Sequence, residues 1–192
     1  MKKWFSFLSN RKETPKESQG ELSFSDGRAA YQEAKKLFYT NDQKERNDEQ
    51  ALLLFDKAIE SGITDAYADR AFCLQGLKYH YDAISDFDSA INNCPNDANL
   101  FYGRGHSKKI IGNYDCAIID LNEAVELSSI ESDLNKAYND EMQIQGGSSV
   151  TQFYEFQLQD IMDRKESSQE KNLKELYERR IKEIKRRNIS SK

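Results

Sequence analysis

TDAYADRAFCLQGLKYHYDAISDFDSAINNCPND, residues 64–97, lies without a gap on ANLFYGRGHSKKIIGNYDCAIIDLNEAVELSSIE, residues 98–131. At a constant offset of 34, Tyr67 meets Phe101, Arg70 meets Arg104, Ala71 meets Gly105, Ala83 meets Ala117, Ile84 meets Ile118, Asp86 meets Asp120, Phe87 meets Leu121 and Ala90 meets Ala124. A repeat of this length that holds small, large and charged residues in register marks a helix-turn-helix unit that stacks on its own copies. One such unit cannot bury its apolar face alone. Small residues at 71, 83, 105 and 117 let two helices approach closely, and Phe87 or Leu121 fills the space beside them.

A degenerate copy precedes these two. Ala51, Leu52, Phe55, Ala58 and Ile59 repeat the pattern of Ala83, Ile84, Phe87, Ala90 and Ile91, while Ala34 and Leu37 match Ala71 and Leu74. Ala34 to Ala51 spans 17 residues where Ala71 to Ala83 spans 12, and the excess falls in the polar stretch Asn41 to Asp48, which reads as an enlarged loop.

Phe101, Gly105, Gly112, Tyr114, Ala117, Leu121 and Ala124 of the last copy resemble the tetratricopeptide-repeat pattern of aromatic, small, Gly, Tyr, Ala, large apolar and Ala. The copy before it carries Tyr67, Ala71, Ala83, Phe87, Ala90 and Pro95, but has Lys78 and His80 where that family usually has Gly and Tyr, so a looser turn is expected there. The resemblance covers residues 27–131 and implies an all-α solenoid of about three units, residues 27–63, 64–97 and 98–131. A domain of residues 27–145 would then include a capping helix over 131–145, between a tail of residues 1–26 and a helical extension over 149–188.

Leu134, Ala137, Tyr138, Met142 and Ile144 keep helical spacing up to Gly146-Gly147, and this helix is expected to cover the end of the third repeat. Ser149-Val150-Thr151-Gln152 reads as a capping box opening a helix with Val150, Phe153, Tyr154, Leu158, Ile161 and Met162 on one face. Ser167-Ser168-Gln169-Glu170 reads as a second box, opening another helix with Leu173, Leu176, Tyr177, Ile181 and Ile184. Two readings of these helices stay open: a solenoid cap, or self-association and partner binding through residues 168–188. At the other end, Trp4, Phe5, Phe7 and Leu8 beside Lys2 and Lys3 read either as a peripheral membrane contact through residues 1–8 or as a plain tail.

The net charge of −5 is unevenly spread: residues 1–20 carry +3 and residues 164–192 carry +6, leaving −14 on residues 21–163. Such a body repels nucleic acid and attracts basic partners. Arg179-Arg180 and Lys185-Arg186-Arg187 are a weak nucleic-acid signal, because cations near a helix C-terminus also complement its dipole. Cys73, Cys94 and Cys116 share no CxxC spacing, and the N-terminal apolar run stops at Asn10, so a reducing cytoplasm without metal or disulfide is expected. His80 and His106 occupy different repeat positions, no phosphate-loop, HExxH or GxSxG motif occurs, and neither enzyme nor cofactor is expected.

The resemblance implies that the first helix of each repeat lines a concave groove. It places there Arg28, Tyr31, Lys35 and Phe38, then Asp65, Ala68, Phe72 and Gln75, then Asn99, Tyr102, His106 and Lys109. Aromatic area with a few cations suits a peptide or partner protein. The family's chaperone carboxylate clamp is not expected: its positions hold Tyr31, Lys35, Asp69, Asn99 and Gly103, and Asp69 would repel a carboxylate. Arg70 with Asp86 and Arg104 with Asp120 recur 16 residues apart and are expected to form structural ion pairs between the helices of a repeat. The expected function is a protein-interaction scaffold whose partner the sequence does not identify. The alternative is a regulatory or membrane-tethered subunit docking through the N-terminal aromatic segment and the basic C-terminal helix.

Overall fold

The computed structural model describes residues 23–40, 42, 44–144 and 147–190, without the side chains of residues 173, 177 and 180–190. Among the described residues all regular structure is helical: α1 (Phe24–Phe38), α2 (Asp48–Glu60), α3 (Ala66–Gly76), α4 (His80–Asn93), α5 (Ala98–Ile110), α6 (Tyr114–Ser129), α7 (Asp133–Ile144) and α8 (Val150–Ser190). The first six form three antiparallel pairs stacked in chain order. Ala71 and Ala83 are fully buried in one cluster with Phe55 and Phe87, and Ala117 is fully buried with Leu121, as helices in register require. The expected all-α solenoid is the fold.

Polar caps set several helix starts. Ser23, Asn47, Asp97 and Asn113 accept from backbone N–H groups of the first turns of α1, α2, α5 and α6. Because Ser23 caps it, α1 begins at Phe24, inside the stretch expected as tail; residues 1–22, with the membrane reading of residues 1–8, lie outside the described residues.

The turn at Lys78 is as tight as its glycine counterparts. Lys78 has φ +70°, against +85° at Gly62 and +83° at Gly112, and Tyr79 N–H reaches Leu74 O at 2.8 Å as Asn113 N–H reaches Lys108 O at 2.9 Å. The looser turn expected at this point is corrected. The stack dictates the left-handed geometry, and Lys78 adopts it at a cost of about 1 kcal/mol or more. Lys78→Gly is therefore expected to stabilise the protein by about 0.5–1 kcal/mol, measured as a higher urea midpoint; a lower midpoint would contradict this account.

The C-terminal helices differ from expectation at one point. The second capping box opens no helix: Ser167 and Ser168 lie inside α8, one element from Val150 to Ser190. No Pro or Gly interrupts that span, and two serines among Lys, Glu, Gln and Arg cost too little propensity to break it. Both α7 and α8 cover the third repeat: Tyr138 and Met142 of α7 pack beside Ala98 and Ala124, and Asn135 donates to Leu127 O and Ile130 O. Ile161 and Leu158 pack on Ala117 and Leu121, while Val150 and Tyr154 pack on Ala98 and Ala124. Met162 and Leu176 beyond are exposed, and the self-association stripe at Leu173, Tyr177, Ile181 and Ile184 lies outside the described side chains.

Charged rungs tie the pairs together. Arg70 donates to both oxygens of Asp86 at 2.6 and 2.7 Å and to Asp56 of the preceding pair at 2.7 Å. Arg104 repeats this with Asp120 at 3.0 and 2.7 Å and Asp88 at 2.6 Å. The expected pairings within a repeat are present, and each arginine also reaches back to the repeat before.

Candidate partner-binding groove

The first helices α1, α3 and α5 lie side by side, and α7 closes the far end. Between them is a cleft of about 680 Å³. Phe38 and Tyr39 from the end of α1, Phe72 and Gln75 from α3, Asn99 and His106 from α5, and Tyr138 and Glu141 from α7 line it. Its walls are aromatic because the groove-facing positions of α1 and α3 carry rings that also brace the core. Phe72 sits edge-on to buried Phe87 with ring centroids 5.0 Å apart, and Phe38 sits edge-on to Phe55 at 6.4 Å.

The polar groups are fixed by bonds that span helices. Asp69 accepts from the hydroxyls of Tyr31 at 2.7 Å and Tyr39 at 2.6 Å, with Lys35 Nζ 4.0 Å away. Burial, and then the contact with Asp69, pushes both phenols well above their ordinary range, so they remain donors. At the other end Asp97 accepts Asn99 N–H at 2.9 Å and Tyr138 O–H at 3.1 Å, and burial raises its carboxyl. Gln75 donates to Gly103 O at 2.8 Å and Ser107 Oγ at 2.9 Å, beneath the cleft.

With that geometry the solenoid can be set against known proteins. The chain is similar in structure to MamA 41-end from Desulfovibrio magneticus RS-1, with a TM-score of 0.50 and 16% identity over 72% of this chain and 77% of that one. It has a tetratricopeptide-like repeat fold. No family model and no curated protein matches the sequence.

Of the residues the resemblance placed in the groove, Phe38, Phe72, Gln75, Asn99 and His106 line the cleft together, with Ala68 beside them. Tyr31 and Lys35 stand at its edge through Asp69. Arg28 lies over the Phe24 ring, and Asp65 is exposed before α3. Tyr102 and Lys109 are engaged by α8: Tyr102 lies 5.3 Å from Phe153 and 5.2 Å from Tyr154 between ring centroids, and Lys109 pairs with Asp160 at 2.8 Å. The resemblance does not place Tyr39, Lys78, Asp97, Tyr138 or Glu141 in the groove, and it gives Asp69 only as a clamp position. Asp97 was legible in part, since an Asp before a new helix run is a cap signal, whereas Tyr138 and Glu141 reach the cleft only because α7 folds across it.

Two nucleophile-bearing side chains near the groove, Cys73 and Ser107, are closed to solvent, whereas Cys94 is exposed. The Cys73 thiol is fully buried, donates to Asp48 O at 3.2 Å, and is pushed up to about 12 by burial. Ser107, 3.5 Å from His80 Nδ1, has no exposed surface for a substrate to meet. Burial, helped by Lys78, holds His80 below its ordinary 6.5, and burial with Lys109, His80 and Lys78 does the same to His106, whose buried Nδ1 has no hydrogen-bond partner. The unfolded chain takes up those protons near pH 6.5 and the folded chain only at lower pH. Stability from these groups is therefore complete above about 6.5 and is lost as the pH falls below it. A urea midpoint that falls between pH 7.5 and 5.5, with a shallower fall in His106→Gln, is the expected result; a flat profile would contradict it.

Proposed function

We propose that this protein is an interaction scaffold that holds a short segment of a partner protein in the cleft between α1, α3, α5 and α7. The observation that carries this reading is the cleft itself. It is large enough for several side chains, walled by rings braced from behind, and edged by polar groups held by helix-to-helix bonds, which is what a preorganised peptide site needs. The solenoid supports it, since stacked pairs present a continuous inner wall.

A photo-reactive residue at position 99 in the cleft, compared with one at Tyr81, which is 74% exposed on α4, tests the reading in the native host. A partner cross-linked from position 99 and not from 81 is the expected outcome. Capture only from 81, or only through the chain ends in a matching truncation series, would replace the groove with outer-face or tail docking.

A further inference from the structure

We infer that the guest segment is cationic, a Lys or Arg flanked by aromatic or aliphatic residues, and that the Asp97 carboxylate is its anchor. This rests on the scaffold reading and narrows it. Three carboxylates, Asp69, Asp97 and Glu141, line the cleft with one ammonium group, Lys78, and a second, Lys35, stands at its edge 4.0 Å from Asp69. His106 is kept neutral by its burial and by the lysines around it, so it does not offset them.

Asp97 differs from the carboxylates that brace the solenoid. Asp86 has Arg70, Asp120 has Arg104 and Lys108, and Asp160 has Lys109 and Arg164. Among the described residues Asp97 is held by neutral donors alone, the Asn99 amide and the Tyr138 hydroxyl. Asp97 caps α5, but Asn47 and Asn113 cap α2 and α6 with no charge, so the charge at 97 incurs a desolvation that the cap does not require and lacks the Coulombic return of a cation. An incoming ammonium or guanidinium supplies that return at reduced dielectric, with room left on the two oxygens beside the Tyr138 hydrogen bond. The rings of Phe38, Tyr39 and Phe72, which line the same cleft, give the flanking apolar side chains their area. At longer range the −14 carried by residues 21–163 draws basic segments in and repels acidic ones.

The test is a selection of a displayed random nonamer peptide library on the full chain, followed by fluorescence anisotropy of the leading peptides. Lys and Arg are expected to outnumber Asp and Glu among enriched sequences. Asp97→Asn, which keeps an equal helix cap, is expected to weaken the leading peptides about ten-fold, while Asp82→Asn on exposed α4 leaves them unchanged. Asn99→Lys, which puts an ammonium beside Asp97, gives a second variant should the first perturb folding, and is expected to weaken binding at least as much. Enrichment of acidic or uncharged peptides, no enrichment at all, or equal losses in Asp97→Asn and Asp82→Asn would overturn the inference. Cross-linking from position 99 to an acidic or neutral partner segment would sink the cationic guest and leave the scaffold standing; no cross-linking from the cleft would sink both.

Discussion

Arg70→Ala is expected to lower the unfolding free energy by about 3–5 kcal/mol, the range for leaving one member of a buried ion pair behind. The Asp86 side chain is 7% exposed, and both its oxygens accept from Arg70, so it cannot turn to water when the guanidinium goes. Burial already pushes the Asp86 carboxyl up in the intact protein, against the pull of Arg70. Asp56, the third partner, is far more exposed and rehydrates at little cost, and the stacking of Arg70 over Tyr67 adds a smaller loss. In a chain of this size the melting temperature should fall by roughly 6–20 °C.

Arg104→Ala, the same change one repeat later, is expected to cost about half as much. Lys108 Nζ lies 2.7 Å from Asp120 and stays behind to neutralise it, whereas among the described residues no second cation pairs with Asp86. Thermal melts of the two variants decide this directly: equal losses would mean that Lys108 gives no cover. Arg104→Ala with Lys108→Ala should then restore the full cost. Replacing the pair by apolar residues, Arg70→Met with Asp86→Leu, should leave the protein within about 1 kcal/mol of wild type, because the penalty lies in the orphaned charge rather than in the missing bridge.

These rungs show what the sequence could and could not convey. The pairing of residues 16 apart was visible because it recurs inside a repeat. The bonds from Arg70 to Asp56 and from Arg104 to Asp88 cross between repeats, and their signal was an Asp following each of Phe55 and Phe87, replaced by Asn122 after Leu121. The first repeat lacks the device altogether, since Glu33 and Leu54 stand at the matching positions. Period and small-residue register carried the solenoid because close helix packing leaves few substitutes at those sites. The single span of α8 was hidden by two serines whose capping chemistry is local, while the absence of Pro and Gly over the whole segment was the stronger fact. For the groove, the wall contributed by α1, α3 and α5 is what the resemblance implies. The resemblance could not show that α8 lies over Tyr102 and Lys109 or that Tyr138 reaches Asp97, because those contacts depend on where later helices fold back.

Phe87→Ala is expected to cost about 3–5 kcal/mol, since the ring is fully buried and packs against Phe72 and the α5 backbone at Gly103. The same contact makes Gly103 sensitive in the opposite sense. A Cβ there would lie 2.4 Å from Phe87 Cζ, 2.6 Å from Cε1 and 3.0 Å from Phe72 Cε1. Gly103→Ala should therefore destabilise by about 1–2 kcal/mol, overpacking of about 1–3 kcal/mol being partly offset by the better helix propensity of Ala. In a Phe87→Leu background, which withdraws the ring tip, Gly103→Ala should become neutral or favourable, so the two changes are strongly non-additive. Urea unfolding of the four chains reads the coupling, and simple additivity would show that the ring and Gly103 do not meet. The cycle reaches the groove as well. Phe72 is both the edge partner of Phe87 and part of the cleft wall, so Gly103→Ala must push one ring toward the core or the other toward the guest, and peptide affinity should fall with stability in that variant and recover with Phe87→Leu.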